Sequence, residues 1–522
     1  MTVLLNELPL RRIHHVIDPW VSATPDAPAL LDRIASLTYR QLHEAVEEAV
    51  ERLGELGVRS GDRVLIVCEN CVAVGVLLLA LSRCDAWAVV VNARLSPREI
   101  DTFAEHSGAR RVIYTPDVSL EAGAHARRVG AKEEFWSLTG RLCIGPQNES
   151  AVAEQTHTDP AEQVAVMIYT SGTSGSPKGV MLTHSNLLYI SEVARTVRLL
   201  SPQDTVYGVL PMAHVVGLSS QLLGALACGS KLFIESRYSA EALADAILKR
   251  GATVFVGVPA MFSKLLEWSR ANGVDISRHQ LRSVGAAGSP LTPELKEQVE
   301  AAMQTTLQNS YGLTETSPTI CQTLLLAAPR NDCSVGPPVP GVEVRMMGRD
   351  GREVARGEVG ELWVHGPNVM KGYYRASDLT AESIQDGWFN TRDLARQAAD
   401  GGVFIMGRTR ELIIRSGFNV FPAEVEQAIN SYPGVVQSAV IGRPAEGNEQ
   451  VIAYVEPEAN VYIDTDDLNS WVRQQLAPYK VPAEIHVIGK LPAAPTGKVL
   501  KSNLRALDVL RSAERHATHP GG

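Results

Sequence analysis

Five apolar residues, Val164 to Ile168, run directly into YTSGTSGSPKGV at 169 to 180, a segment with three glycines, a series of hydroxyl residues and one lysine. A short apolar run that breaks into such a segment reads as a strand feeding an anion-binding loop. Glycines let the backbone turn its N–H groups toward an anion, hydroxyls add donors, and a lysine supplies positive charge for a polyphosphate. The candidate phosphate grip is therefore Thr170, Ser171, Gly172, Thr173, Ser174 and Gly175, with Lys178. The spacing is not that of the common nucleotide loop, because no G-x-x-x-x-G-K-[ST] can be read here. The same composition also suits a Gly/Ser-rich surface turn, so the rest of the chain has to decide.

A chain of 522 residues that is 45% hydrophobic can bury large cores and should form more than one domain. Its net charge of −9 argues against a general surface for nucleic acid or anionic membrane. The seven cysteines are scattered. Cys68 and Cys71 form one C-x-x-C in an apolar context with no second pair to complete a metal site, so they read as packed thiols. The most apolar stretch, Val72 to Leu81, is about half a membrane span, and the N-terminus carries no signal-peptide core. A reducing cytoplasm is the expected compartment; the oligomeric state is left open.

Up to about residue 330, β-branched runs alternate with amphipathic helical patterns. Strands are expected at Val64 to Val67, Ala88 to Val91, Arg111 to Tyr114, Lys231 to Ile234 and Thr253 to Val256, and helices at Tyr39 to Leu56 and Pro293 to Met303. This is an α/β pattern with mostly parallel sheets. Between about 334 and 406 the texture changes to short extended pieces with closely spaced glycines, which reads as a small antiparallel barrel or sheet. Mixed α and β returns after Gly407, with a domain boundary near Arg408 to Glu411 and a disordered tail at 511 to 522.

Three further segments carry candidate chemistry. Tyr311 to Glu315, YGLTE, follows VGAAGSPL at 284 to 291. Tyr311 could stack on a base against small residues such as Ala286 to Gly288, and Glu315 could hold magnesium, a hard cation that takes oxygen ligands. The bland reading is a helix start with an acidic first turn. In WFNTRD at 388 to 393, Asp393 could accept ribose hydroxyls, although a lone Asp is commonly a cap. PAAPTGKVLK at 492 to 501 carries Lys498 and, by itself, is a solvated basic loop.

These segments in this order, together with GRTRELIIRSGFNVFPAEVE at 407 to 426, resemble the adenylate-forming enzymes: acyl-CoA synthetases, firefly luciferase and peptide-synthetase adenylation domains. The resemblance covers about residues 15 to 505. PMAHVVGLSSQLLGAL at 211 to 226 and VGVPAMFSKLL at 256 to 266 are most similar to the acyl-site segments of bacterial fatty-acyl and aryl-CoA ligases. The resemblance implies a large N-terminal domain, 1 to 407, of two doubly wound α/β subdomains plus a small β-barrel. A hinge at 408 to 411 and a small mobile α+β domain at 412 to 510 would follow.

It also implies roles. Thr170 to Gly175, Lys178 and Gly288 fall on the ATP site, with Tyr311 at the base, Thr314 and Glu315 at phosphate and magnesium, and Asp393 and Arg408 at ribose or phosphate. Lys498 matches the lysine that bridges the carboxylate and the α-phosphate; two anions must meet, and a cation between them stabilises the transition state. His214 matches the gate between acyl pocket and thiol channel and could help neutralise the incoming carboxylate. Ala213, Val216, Gly217, Ser220, Val258, Gly285, Ala287 and Gly312 match the pocket wall. Gly417 and Ser416 match the pantetheine tunnel, and Arg410 matches the hinge, where Lys or Asp is usual.

The implied reaction joins a small carboxylic acid to coenzyme A, with ATP and magnesium, through acyl-AMP. The wall residues offer no evident cation or acid, which points to an apolar monocarboxylate, fatty or aromatic. Transfer to a carrier protein's pantetheine is the alternative, and a catalytically silent acyl- or nucleotide-binding homologue the remote one.

Overall fold

The computed structural model describes residues 11–170, 177–415, 418–445, 448–493 and 499–518. Two eight-stranded sheets form the N-terminal part. The first runs Gly372–Tyr373, Lys178–Thr183, Val164–Thr170, Trp87–Asn92, Arg63–Cys68, Arg111–Tyr114, Gly140–Ile144, Lys132–Trp136. The second runs Thr319–Gln322, Leu307–Gly312, Ser283–Ala286, Val254–Gly257, Thr205–Gly208, Lys231–Ile234, Pro28–Leu31, Ser36–Thr38. Their central strands are parallel and apolar on both faces, as in Arg63–Cys68 where every residue is buried. That is the pattern of a sheet covered by helices on both sides.

The expected strands are present within a residue or two, Thr253 to Val256 as Val254–Gly257. The helix expected from Tyr39 runs Tyr39–Glu55 and is started by a reciprocal cap, the Thr38 hydroxyl accepting from Gln41 N and the Gln41 side chain accepting from Thr38 N. The apolar stretch at 72 to 81 is the helix Val72–Arg83, buried all round except at its end. It lies between the sheets: a Cβ on Gly75 would stand 2.8 Å from Leu30 of the second sheet, while the helix also packs in one core with Ile66 and Val90 of the first. Its length suits a core helix, and no described helix is long and apolar enough to cross a membrane. Cys68 and Cys71 are buried free thiols, and burial pushes Cys71 up to about 12.

The 334 to 406 segment forms a five-stranded antiparallel sheet, Glu343–Met347, Gly360–His365, Trp388–Gln397, Ile384–Gln385, with Val403–Arg408 also paired to Trp388–Gln397. Among the described pairings it is open rather than a closed barrel, since one strand has only two residues. Beyond it, the hairpin Ile413–Arg415 and Phe418–Val420 and the sheet Val435–Ala445, Asn448–Pro457, Glu484–Val487 have their own core around Val425, Ile429, Val451 and Leu468. The helix Lys501–Thr518 follows, so residues 511 to 518 are helical where a disordered tail was expected, and 519 to 522 lie outside the described residues.

The N-terminal turn Ile13–Ile17 is held through His184, whose buried Nδ1 accepts from Ile13 N at 3.1 Å. Burial, with Arg12 and the nearby histidines, pushes His184 well below its ordinary value. The unfolded chain therefore binds, near pH 6.5, a proton that the folded chain refuses. Stability is complete above that pH and falls below it, by roughly 1.4 kcal/mol per unit for this one group. We expect the melting temperature to drop between pH 7 and pH 5, and His184→Asn, which keeps an acceptor without a titrating ring, to flatten that drop in a thermal-denaturation series.

Candidate active site

The parallel strands Thr205–Gly208, Val254–Gly257, Ser283–Ala286 and Leu307–Gly312 end at one edge of the second sheet. In open α/β sheets ligands bind beyond that carboxyl edge. The turn carrying His214, then Val258, Ala287 and Gly288, and finally Tyr311 to Glu315 all leave from it. Gly288 takes φ +80, a left-handed conformation that suits glycine, and a Cβ there would meet only Val258 Cγ1 at 3.7 Å.

Two polar clusters each include a residue from this edge, Tyr311 in one and Glu315 in the other. In the first, the Tyr311 hydroxyl donates to Asp393 Oδ2 at 2.5 Å, and Arg408 Nε lies 3.0 Å from Asp393 Oδ1. Asp393 and Arg408 are cross-strand neighbours in the third sheet, so two backbones fix their separation. Asp393 is buried. Burial alone would lower the Arg408 value; Asp393, Glu411, Tyr311 and Glu315 outweigh it and raise it. Burial, then Asp393, pushes the Tyr311 phenol well above its usual range. Asp393 thus accepts from a phenol at Oδ2 and is ion-paired with a guanidinium at Oδ1.

In the second cluster, Thr170 and Lys178 face each other across the antiparallel strands that flank the glycine-hydroxyl loop. Lys178 Nζ lies 5.6 Å from the Tyr373 ring centroid, and the Tyr373 hydroxyl donates to Glu315 Oε1 at 2.9 Å. Glu315 sits in the 3₁₀ turn Thr314–Thr316, and its carbonyl accepts from Met370 N at 2.9 Å. Tyr373 therefore joins the loop lysine to the candidate metal carboxylate. Nothing in the local GYYR sequence singles it out; it reaches the site because Gly372–Tyr373 pairs with Lys178–Thr183 at the sheet edge.

His214 is half-buried, its ring nitrogens engage no described residue, and burial lowers it below its ordinary value. Burial favours the neutral imidazole, a form that can donate a hydrogen bond to a carboxylate. His214 precedes Val216–Leu223, which is wound as a π-helix, a form that concentrates at functional sites. Ala213, Val258 and Ala287 are buried, and Val216 is half-buried. Gly285 has Val256 3.5 Å from its would-be Cβ.

The structure adds a packing constraint at the wall. A Cβ on Gly217 would lie 2.3 Å from Pro211 O, and on Gly312 1.8 Å from Pro318 O, so close backbone packing by itself requires these glycines. Ser220 accepts from a buried arginine, Arg198, that was not singled out in the sequence. A cation therefore stands against one of the expected wall residues. Ser171, Gly172, Thr173, Ser174, Gly175, Ser416, Gly417 and Lys498 lie outside the described residues. Arg410 is exposed in the turn Thr409–Glu411.

Residues 17–374 match the model of AMP-binding enzymes, and 424–498 that of the AMP-binding enzyme C-terminal domain. The chain belongs to the AMP-binding enzyme family. This AMP-binding enzyme is 33% identical over 486 residues to a feruloyl-CoA synthase of Amycolatopsis sp, covering 92% of this chain and 96% of the relative. It is 31% identical over 489 residues to the 2-succinylbenzoate–CoA ligase of Geobacillus kaustophilus, covering 93% and 96%. Among solved structures, the o-succinylbenzoate CoA synthetase of Bacillus subtilis, in complex with its acyl-adenylate intermediate OSB-AMP, matches with TM-score 0.79 and 26% identity over 94% of this chain and 98% of that one. The AMP-binding enzyme has the expected mixed α/β fold, with a large N-terminal and a small C-terminal domain, and stands among the AMP-forming acid–thiol ligases that use ATP and CoA.

Proposed function

We propose that this AMP-binding enzyme activates a carboxylic acid with a largely apolar body, fatty or aromatic, as acyl-AMP and then forms its CoA thioester. The observation that carries the reading is that one segment, Tyr311 to Glu315, supplies a member to both the Tyr311–Asp393–Arg408 cluster and the Lys178–Tyr373–Glu315 cluster. One set suits a ribose and a purine, the other a polyphosphate. An aromatic acid is favoured, since feruloyl and succinylbenzoyl substrates are named for the relatives. The argument for a monocarboxylate rested on a wall without a cation, and Arg198 removes that ground.

In the first half-reaction a carboxylate oxygen attacks the α-phosphorus and the bond to the β-phosphate oxygen breaks, releasing pyrophosphate. Lys178 and the loop before it hold the outgoing phosphates, Asp393 and Arg408 fix the ribose, and Lys498 stands between the two reacting anions. Glu315 fits magnesium: it is a half-buried carboxylate with one oxygen held by Tyr373, leaving the other for a hard cation. When bound, that ion supplies countercharge for the phosphates. In the second half-reaction the CoA sulfur attacks the acyl carbon, AMP leaves, and the thiol proton passes to solvent. His214 gates the thiol channel.

The links on either side of Arg410 support its assignment as the hinge. Thr409 Oγ1 donates to Glu361 in the third sheet at 2.7 Å, while Glu411 pairs with Lys501 of the C-terminal helix at 3.3 Å and Lys501 with Glu426 at 2.7 Å. The segment is thus fastened to one domain before Arg410 and to the other after it.

Tyr373 gives a direct test of the second cluster. Tyr373→Phe keeps the ring beside Lys178 and removes one hydrogen bond to a charged group, about 1.5 to 3 kcal/mol. We expect kcat/KM for ATP to fall about tenfold or more, with a raised magnesium requirement in pyrophosphate-release kinetics. Unchanged kinetics would detach Glu315 and Tyr373 from the phosphate site.

A further inference from the structure

Arg198 is buried just beyond the helix His184–Thr196, and no carboxylate pairs with it among the described residues. Its guanidinium is held only by neutral oxygens: Nε donates to Gln322 Oε1 at 3.2 Å, Nη1 to Ser220 O at 3.3 Å, and Nη2 to Ser220 Oγ at 3.3 Å and Thr319 Oγ1 at 3.4 Å. Most of these contacts are long, and one Nη1 proton is left without an acceptor among the described residues. Burial brings Arg198 down to about 10, so it remains charged at neutral pH. A buried charge is ordinarily paired, because hydration lost on burial must be replaced.

The position of Arg198 suggests what replaces it. Ser220 lies on the π-helix that follows His214, and Thr319 is the cross-strand neighbour of Gly312. Arg198 thus reaches from Ser220, an expected wall residue, to the strand paired with Tyr311 and Gly312. The Ser220 and Thr319 hydroxyls accept from Arg198, and their own protons go to no described residue. The next residue of the π-helix, Gln221, is also buried; its Nε2 donates to Val256 O at 3.1 Å, while its Oε1 has no partner among the described residues. The wall therefore holds unspent donors, an unspent acceptor and an uncompensated positive charge.

We propose that Arg198, with the Ser220 and Thr319 hydroxyls, is a specificity subsite for the far end of the acid, and that the preferred substrate carries a second, anionic oxygen group there, a carboxylate on an aromatic or aliphatic body. This rests on the ligase reading of the site. The reacting carboxylate lies toward Lys498 and the α-phosphate, and the second anion pairs with Arg198 instead of water. A neutral hydrocarbon end in the same place would leave the guanidinium as uncompensated as it is without ligand. Arg198 is a positioning and selecting residue and takes no part in bond making.

The test compares paired acids of similar size, 4-carboxycinnamic against 4-isopropylcinnamic and suberic against nonanoic, by acid-dependent pyrophosphate release with ATP, magnesium and CoA. The wild-type enzyme is expected to favour the doubly anionic member of at least one pair by tenfold or more in kcat/KM. In Arg198→Met the ratio within that pair should fall about 30- to 100-fold, mainly through KM, with partial recovery in Arg198→Lys, which keeps the charge but not the planar fork. Ser220→Ala and Thr319→Val leave the guanidinium in place and should each lower the ratio several-fold, which keeps the test open if Arg198→Met does not fold. A wild-type preference for the neutral acids, or equal loss on both members of a pair in every variant, overturns the subsite and leaves the ligase standing. No release with any acid overturns both.

Discussion

Asp393→Ala is expected to weaken ATP binding at least 100-fold and to destabilise the N-terminal domain by about 3 to 5 kcal/mol, the range for leaving one member of a buried ion pair alone. The side chain is buried between the Tyr311 hydroxyl and Arg408, and removing it strands a cation that burial already disfavours. Asp393→Asn retains an oxygen for Tyr311 and should lose less stability while still losing nucleotide affinity. Titration calorimetry with ATP and a urea melt read the two effects separately. In a double-mutant cycle with Arg408→Ala the stability losses should be strongly non-additive, because the second substitution removes the stranded charge. Additive losses would mean that the pair is not an energetic unit.

Lys498→Ala is expected to abolish acyl-AMP formation, by about 3 to 4 kcal/mol or more on the scale of one preorganised donor. Thioester formation from supplied acyl-AMP should survive, because AMP is a good leaving group and that step needs little help from the protein. Gly417→Leu should show the converse, with adenylation retained and thiol attack blocked by a side chain in the pantetheine path. Single-turnover assays of the two half-reactions distinguish them. Loss of the same step in both variants would contradict a lysine and a tunnel that serve separate steps.

The parts of the site that lie within one short segment were readable before the fold was known. Lys178, Glu315, Asp393 and Arg408 were marked by the family resemblance that their runs carry together, and the structure joins Lys178 to Glu315 through Tyr373 and pairs Asp393 with Arg408. Tyr373 and Arg198 were not readable. Tyr373 meets Glu315 only because a two-residue strand closes the edge of the first sheet, and Arg198 reaches Ser220 and Thr319 from a helix end far away in sequence. The packing constraint on the glycines at 217 and 312 was not readable for a related reason: it comes from carbonyl oxygens of the chain brought close by the fold. Helix ends were legible where a cap is local, as at Thr38, and misread at the C-terminus, where the helix Lys501–Thr518 runs on through a stretch expected to be disordered. The imidazole of His214 was identifiable as a candidate, but its charge state depends on burial that only the fold supplies.

The most direct test of the ligase reading is pyrophosphate release from ATP and magnesium across straight-chain, benzoic and cinnamic acids, including their doubly anionic forms, with and without CoA. Acid-dependent release, with AMP and acyl-CoA as products when CoA is present, is the predicted result. Release that never yields acyl-CoA would shift the acceptor to a carrier protein, and silence with every acid would contradict the assignment of this site to acyl adenylation.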